Sequence, residues 1–263
     1  MKIARVEFNN EIFYGSVEND KIKKIEGNIY ENFELTNQEY ELSSVKILAP
    51  VVPTNIIAIG LNYRRHAIES NMKIPERPVI FLKATSSIAA HGDAIKLPKV
   101  APDEVDYEAE LAIIIGKTAK NVDEENALEY VLGYTCGNDV SARDCQLRID
   151  TQWARGKSFD TFCPIGPYIV TDIDDPDNLA ISTRLNGVKV QDSRTSDMIF
   201  SVRQLISYCS KNMTLLPGTV ILTGTPEGVG FARKPPIFLK EKDVVEIEIE
   251  GIGTLRNSVE KEI

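Results

Sequence analysis

Two histidines, one tryptophan and four cysteines are all this 263-residue chain carries of its scarcest functional side chains. Cys136, Cys145, Cys163 and Cys209 form no CxxC pair, which excludes a zinc ribbon or a thioredoxin-type redox motif. Free, mostly buried thiols are expected. Cys145 and Cys163 fall near candidate site segments, but nothing marks either as a nucleophile. Long apolar runs are also missing. No stretch approaches the roughly 20 residues needed to span a bilayer. Met1 to Glu7 reads as a strand and lacks the apolar segment of a signal peptide, so the chain is expected to remain in the cytoplasm. Positive charge is short as well, with 30 Lys and Arg against 39 Asp and Glu, a formal charge of −9. A nucleic-acid partner is therefore not expected, because phosphate binding needs clustered Lys and Arg. Neither an internal repeat nor a low-complexity segment is present.

What remains is ordinary soluble-protein material, 43% apolar and 26% charged, with enough length for a large core. Residues 1–49 alternate short strands (Ile3 to Phe8, Ile12 to Val17, Lys21 to Ile25) with Asn- and Asp-rich turns, and predict a small β-rich N-terminal module. Ala49-Pro50-Val51-Val52-Pro53 is the expected boundary, since two prolines stiffen a short linker. Residues 50–263 then form the second, larger domain.

That domain is organised around Val105 to Gly116, which reads as one strand. Residues two apart share a face, so Glu108 and Glu110 lie side by side, continued by Ala112 and Ile114. Leu111, Ile113 and Ile115 fill the other face, and the strand is expected to be buried on both sides. Paired carboxylates at the edge of an apolar strand repel each other and lose hydration, so they need protonation or a cation. The chain carries its own control. Val244 to Glu250 has the same period-two glutamates at Glu246, Glu248 and Glu250, but there every second residue is charged, as in a half-solvated strand that needs no metal. From the pattern alone, Glu108 and Glu110 are either ligands or solvated rim charges.

Other segments offer partners for that pair. Asn55 to Gly60 is a buried-strand pattern that turns helical afterwards, and there His66 and Glu69 share a helix face as a surface pair or a catalytic dyad. Val79 to Lys83 is another strand, and His91-Gly92-Asp93 a turn. Val122 to Tyr130 has helical periodicity with Asp123, Glu124 and Glu125 in its first turn. Val131 to Gly137 is strand-like and leads to Asp139, a third carboxylate ligand or a helix N-cap. Lys157 stands between Gly156 and Phe159 in the only tryptophan neighbourhood, where it is either partly buried or solvent-facing. Leu185 to Val190 is a hairpin on Asn186-Gly187. Ser201 to Ser210 is an amphipathic helix with Val202, Leu205, Ile206 and Cys209 on one face. Val220 to Gly230 is a buried strand running into a Gly-rich turn. It lacks the Gly-Lys-Ser/Thr ending of a phosphate loop, but its backbone N–H groups can hold a carboxylate.

Together the motifs resemble the fumarylacetoacetate hydrolase family over about residues 50 to 255. They are Gly60-Leu61-Asn62-Tyr63 with His66 and Glu69, Asp106-Tyr107-Glu108-Ala109-Glu110, Asn138-Asp139-Val140-Ser141-Ala142-Arg143-Asp144, Gly156-Lys157-Ser158-Phe159-Asp160, and Thr223-Gly224-Thr225-Pro226-Glu227-Gly228-Val229-Gly230. Each fragment alone is weak; five in the family's order are specific. The resemblance implies a mixed α+β, β-rich fold: a fumarylacetoacetase C-terminal-like β-roll with flanking helices, usually a homodimer, with Mg²⁺ or Mn²⁺ in the site. It implies that Glu108, Glu110 and Asp139 ligate the metal, that Lys157 stabilises charge beside it, and that His66 with Glu69 activates water. Arg143, Gln146 and Thr225 then hold the substrate's carboxylate and oxo groups. Three carboxylates with no His or Cys among them suit a hard cation.

The expected substrate is a small 2-oxo or 1,3-diketo acid. Hydrolysis of a C–C bond in acylpyruvates is the first expectation, because of the His66–Glu69 dyad. The alternative uses the same metal-stabilised enolate without water: oxaloacetate decarboxylation or tautomerisation, or isomerisation of a 2-hydroxy-dienedioate. A protein that only binds a structural Ca²⁺ is the third reading, disfavoured because a Lys beside the metal weakens such a site. Residues 64 to 78 are a candidate lid over the site, for which the sequence gives no geometry.

Overall fold

The computed structural model describes residues 1–263. Its backbone is a twelve-stranded sheet, mostly antiparallel, and a separate five-stranded sheet. The path of the large sheet runs Phe33–Glu41, Lys21–Gly27, Glu11–Glu18, Lys2–Phe8, Cys163–Val170, Val131–Asn138, Ala109–Ile115, Val220–Leu222, Ile56–Gly60 and Val79–Lys83. The first four strands come from the N-terminal module. They join the rest where Lys2 and Ile3 pair with Val170 and Ile169, so the sheet runs unbroken through both parts of the chain. The five-stranded sheet consists of Val188–Arg194, Ala180–Leu185, Val244–Ile249, Gly253–Lys261 and Ala94–Leu97. This is the β-rich α+β architecture, with few helices, that the sequence motifs imply.

Ala109–Ile115 lies at the centre of the large sheet, and all seven of its residues are buried. Its alternation splits between two cores. Leu111, Ile113 and Ile115 belong to the larger apolar cluster, whereas Ala112 and Ile114 belong to a second cluster on the opposite face. The control strand behaves as its pattern dictates: Val245, Ile247 and Ile249 are buried, and Glu248 and Glu250 are exposed.

Two local expectations are corrected. Val105 to Gly116 is not one strand: Val105–Asp106 pairs with Ser141–Ala142 in a two-stranded ribbon, and the central strand begins only at Ala109. Glu108 sits in the break between them. The helix expected over Val122 to Tyr130 is a 3₁₀ segment, Glu124–Tyr130, in which only Ala127 is buried. Ala127 with the half-buried Leu128 and Tyr130 gives the segment too little buried apolar face, all of it in its second half, to hold a full α-helix. The amphipathic helix forms as α3 (Val202–Asn212), N-capped by Ser201 in a capping box with Gln204 and buried along Val202, Leu205, Ile206 and Cys209. No helix is long and apolar enough to cross a membrane.

Candidate active site

Strand register brings the acidic residues together. Ala109 pairs with Asn138, so the next positions outward, Glu108 and Asp139, leave the sheet side by side. The Asp139 N–H donates to the Glu108 carbonyl at 2.9 Å, and the Glu108 N–H to Asn138 Oδ1 at 3.0 Å. Glu110 is one step inside the strand. Carboxylate oxygens of Glu108, Glu110 and Asp139 all lie within 4.8 Å of one another, and all three residues are buried.

Three cations enclose this cluster. Lys157, in the short helix α2 (Ala154–Lys157), is buried and donates to Glu108 Oε2 at 2.6 Å and to Asp139 Oδ2 at 2.7 Å. Arg143 lies 2.7 Å from Glu108 Oε1 and 2.8 Å from Asp106 Oδ2. Lys83, with a wholly buried side chain, pairs with Asp139 Oδ1. Burial alone would raise the Glu108 pKa, but Arg143 and then Lys157 hold it well below the usual carboxylate range. The Lys157 pKa is raised in turn, because Asp139 and Glu108 outweigh its desolvation.

Glu110 differs from its neighbours. It has no cationic partner and accepts one hydrogen bond, from the Gly224 N–H at 2.7 Å. Burial, followed by the charges of Asp139 and Glu108, pushes its carboxyl pKa well above the normal value. A buried carboxylate must be protonated or find a cation. The donor set therefore fits a divalent ion: three converging carboxyl groups, one of them short of positive charge, and no His or Cys among them.

The Gly-rich turn does hold carboxylates, and they are the protein's own. Besides Gly224 with Glu110, Gly228 N–H lies 3.0 Å from both Glu69 oxygens, and the N–H groups of Gly230 and Phe231 donate to Asp106 at 2.8 and 3.0 Å. Glu69 thereby fixes the end of α1 (Arg64–Glu69), and its Oε1 lies 2.8 Å from His66 Nδ1. His66 lines the same cleft as the three carboxylates, along with Lys157, Arg143, Gln146 and Thr225. Gln146 Oε1 accepts from Arg143 at 2.8 Å. Thr225 Oγ1 accepts from the buried Gln191 at 2.9 Å. All candidate residues other than Glu69 thus line one cleft with about 70 Å³ of free space, and Glu69 reaches it through His66.

The remaining rare side chains lie outside. His91 is in the expected turn, accepting the Arg256 N–H at 3.2 Å. All four cysteines are free and buried, and none lines the cleft. Lys83 was not foreseen. The signal was a lysine closing the otherwise apolar Val79–Lys83 strand, two residues from the buried Phe81 and on the same face. Asp106 was part of a recognised motif but had no assigned role; it holds Arg143 against the Gly-rich turn.

The family model "Fumarylacetoacetate (FAA) hydrolase C-terminal" matches residues 55–260, and "Rv2993c-like, N-terminal" matches residues 1–50. The mitochondrial oxaloacetate tautomerase fahd2 of Xenopus laevis is 51% identical over 221 residues, covering 82% of this chain and 69% of that protein. A crystal structure described as 5-carboxymethyl-2-hydroxymuconate delta-isomerase from Mycobacterium smegmatis superposes with a TM-score of 0.90 at 44% identity, covering all of both chains. A fumarylacetoacetate hydrolase from Exiguobacterium antarcticum does so with a TM-score of 0.90 at 39% identity, again covering both completely. With a family model matched along most of its length and a relative at half identity, the chain belongs to the fumarylacetoacetate hydrolase family.

Proposed function

We propose that this protein is a divalent-metal-dependent tautomerase or isomerase of small 2-oxo acids, with enol-oxaloacetate as the first substrate to test. The observation that carries it is the meeting, in one cleft, of the Glu108–Glu110–Asp139 cluster with a His–Glu pair and two buried cations. The half-identical tautomerase and the isomerase that superposes on the whole chain support the same choice. Enzymes of this family commonly use a divalent metal; here Glu108, Glu110 and Asp139 would hold Mg²⁺ or Mn²⁺, which would supply Lewis-acid polarisation of the oxygen at C2.

The chain's own residues do the rest. Arg143 and Gln146 bind a substrate carboxylate, with Thr225 donating to an oxo group. Lys157 stabilises negative charge on the oxygen at C2 as the enol O–H bond breaks. His66, with Glu69 fixed on Nδ1, takes the enol O–H proton and delivers a proton to C3 as the new C–H bond forms, so the imidazole ends in the protonation state in which it began. No water is consumed and no carbon dioxide leaves.

Hydrolysis of acylpyruvates, the first expectation from sequence, is retained as the second reading. It rests on the same dyad, which can equally deprotonate water, and on the superposed hydrolase. The test follows, with Mg²⁺ present, loss of the enol absorbance of oxaloacetate, pyruvate release from it, and cleavage of acetylpyruvate and fumarylpyruvate. Faster enol loss without pyruvate release or acylpyruvate cleavage is expected. Rapid acylpyruvate cleavage with no effect on enol loss would overturn the proposal in favour of hydrolysis. The expected assembly is a homodimer in the cytoplasm, tested by light scattering on the purified protein and by fractionation of cells.

A further inference from the structure

Part of the cleft wall is built from rings. Phe81 lies 5.4 Å from Lys157 Nζ, and Trp153 packs edge-on against Phe81 with ring centroids 5.5 Å apart. The half-buried indole spreads over Gly60 at the end of the Ile56–Gly60 strand. A methyl group at Gly60 would overlap Trp153 Cζ3 and lie 3.0 Å from Cη2, so the absent side chain is what admits the ring. Gly60 does not have a positive φ, so its backbone does not demand glycine. Close approach of the indole does. Ile59, Leu61, Met72, Leu147 and Phe231 supply the rest of the apolar lining. The remaining free space of about 70 Å³ is small beside the roughly 300–1,000 Å³ of sites for drug-sized ligands.

We propose that Trp153, seated over Gly60, sets the length limit of the substrate by closing the cleft beyond the atoms that the charged groups hold. This rests on the tautomerase reading and narrows it to short 2-oxo diacids, of about four carbons. A chain one or two methylenes longer must displace the indole, and a pocket that refuses a methylene discriminates by roughly 10-fold or more. Trp153 makes no hydrogen bond to any of the carboxylates or cations; its links to them are the Phe81 contact and its place just before α2, which carries Lys157.

The test measures exchange of the C3 hydrogens with D₂O by proton NMR, with Mg²⁺, for 2-oxo diacids of four, five and six carbons. Wild type should prefer the four-carbon acid. Trp153→Ala should raise the six-to-four-carbon ratio of kcat/KM at least about tenfold, with Mn²⁺ affinity of the free protein unchanged. Trp153→Phe, which keeps a ring over Gly60, should give an intermediate ratio and decides the matter should the alanine variant not fold. A ratio that does not move in a folded variant overturns the proposal. A wild type that exchanges none of the three acids overturns the tautomerase reading instead.

Discussion

Gly224 donates its backbone N–H to Glu110 Oε2 at 2.7 Å, and this is the one hydrogen bond the Glu110 side chain makes. Glu108 and Asp139 each have two cationic partners; Glu110 has none. A divalent ion bound there would supply the missing charge. Adding Mg²⁺ or Mn²⁺ should therefore raise the thermal midpoint in proportion to the logarithm of ion concentration, and a chelator should reverse the effect. Glu110→Ala should abolish the shift while leaving a folded protein by circular dichroism. A shift of wild-type size in that variant would show that the ion binds elsewhere.

His66 should separate proton transfer from ion binding. His66→Ala is expected to lower kcat by about 10²–10⁴-fold, the usual contribution of a positioned acid–base group. Manganese affinity, read by calorimetric titration, should change little, because the imidazole is not among the clustered carboxyl groups. Glu69→Gln should lower kcat less, since Gly228 N–H can still hold the amide oxygen. Equal losses in kcat and in metal affinity for His66→Ala would point to a structural role.

Lys83 offers a stability test. Its side chain is wholly buried against Asp139; removing one partner of a buried pair costs about 3–5 kcal/mol where the other charge is left uncompensated, and because Lys157 still faces Asp139 the expected cost is at the lower end, about 3 kcal/mol. Lys83→Met should lose about that much in urea denaturation of the metal-free protein. Added divalent ion should restore part of it by neutralising Asp139. Lys73→Met, which removes the solvent-exposed pair with Glu76, should be indistinguishable from wild type.

The second histidine predicts a pH effect away from the cleft. Burial, then the charge of Arg256, lowers the His91 pKa below its ordinary 6.5. A depressed folded-state pKa means that the unfolded chain takes up the proton first. The stability that neutral His91 contributes is thus present above about pH 6.5 and is lost as pH falls through its folded value. His91→Gln should flatten the thermal midpoint between pH 7 and 5 relative to wild type. With only two histidines, proton NMR can titrate each ring directly.

Cysteine accessibility gives the simplest check of the core. Burial pushes the thiols of Cys136, Cys163 and Cys209 up to about 12. A thiolate-specific disulfide reagent should label fewer than one thiol per chain in the native protein and all four after denaturation.

Composition and period by themselves determined a good deal here. The β-rich class, the buried alternation of Ala109–Ile115, the half-solvated contrast at Glu246 to Glu250, and the amphipathic face of α3 follow from local spacing, because side-chain direction in strands and helices is fixed by the backbone. The five ordered motifs gave the family and the residues to watch. Only the tertiary structure decided which of those residues meet. Pairing of Ala109 with Asn138 sets Glu108 against Asp139 across about thirty residues of chain, and the Gly-rich turn reaches back to fix Glu69, Glu110 and Asp106. It also brought in Lys83 and broke the Val105 to Gly116 stretch before Ala109. Such long-range encounters depend on register and on the desolvation of charges in a shared interior, neither of which the local order of residues specifies.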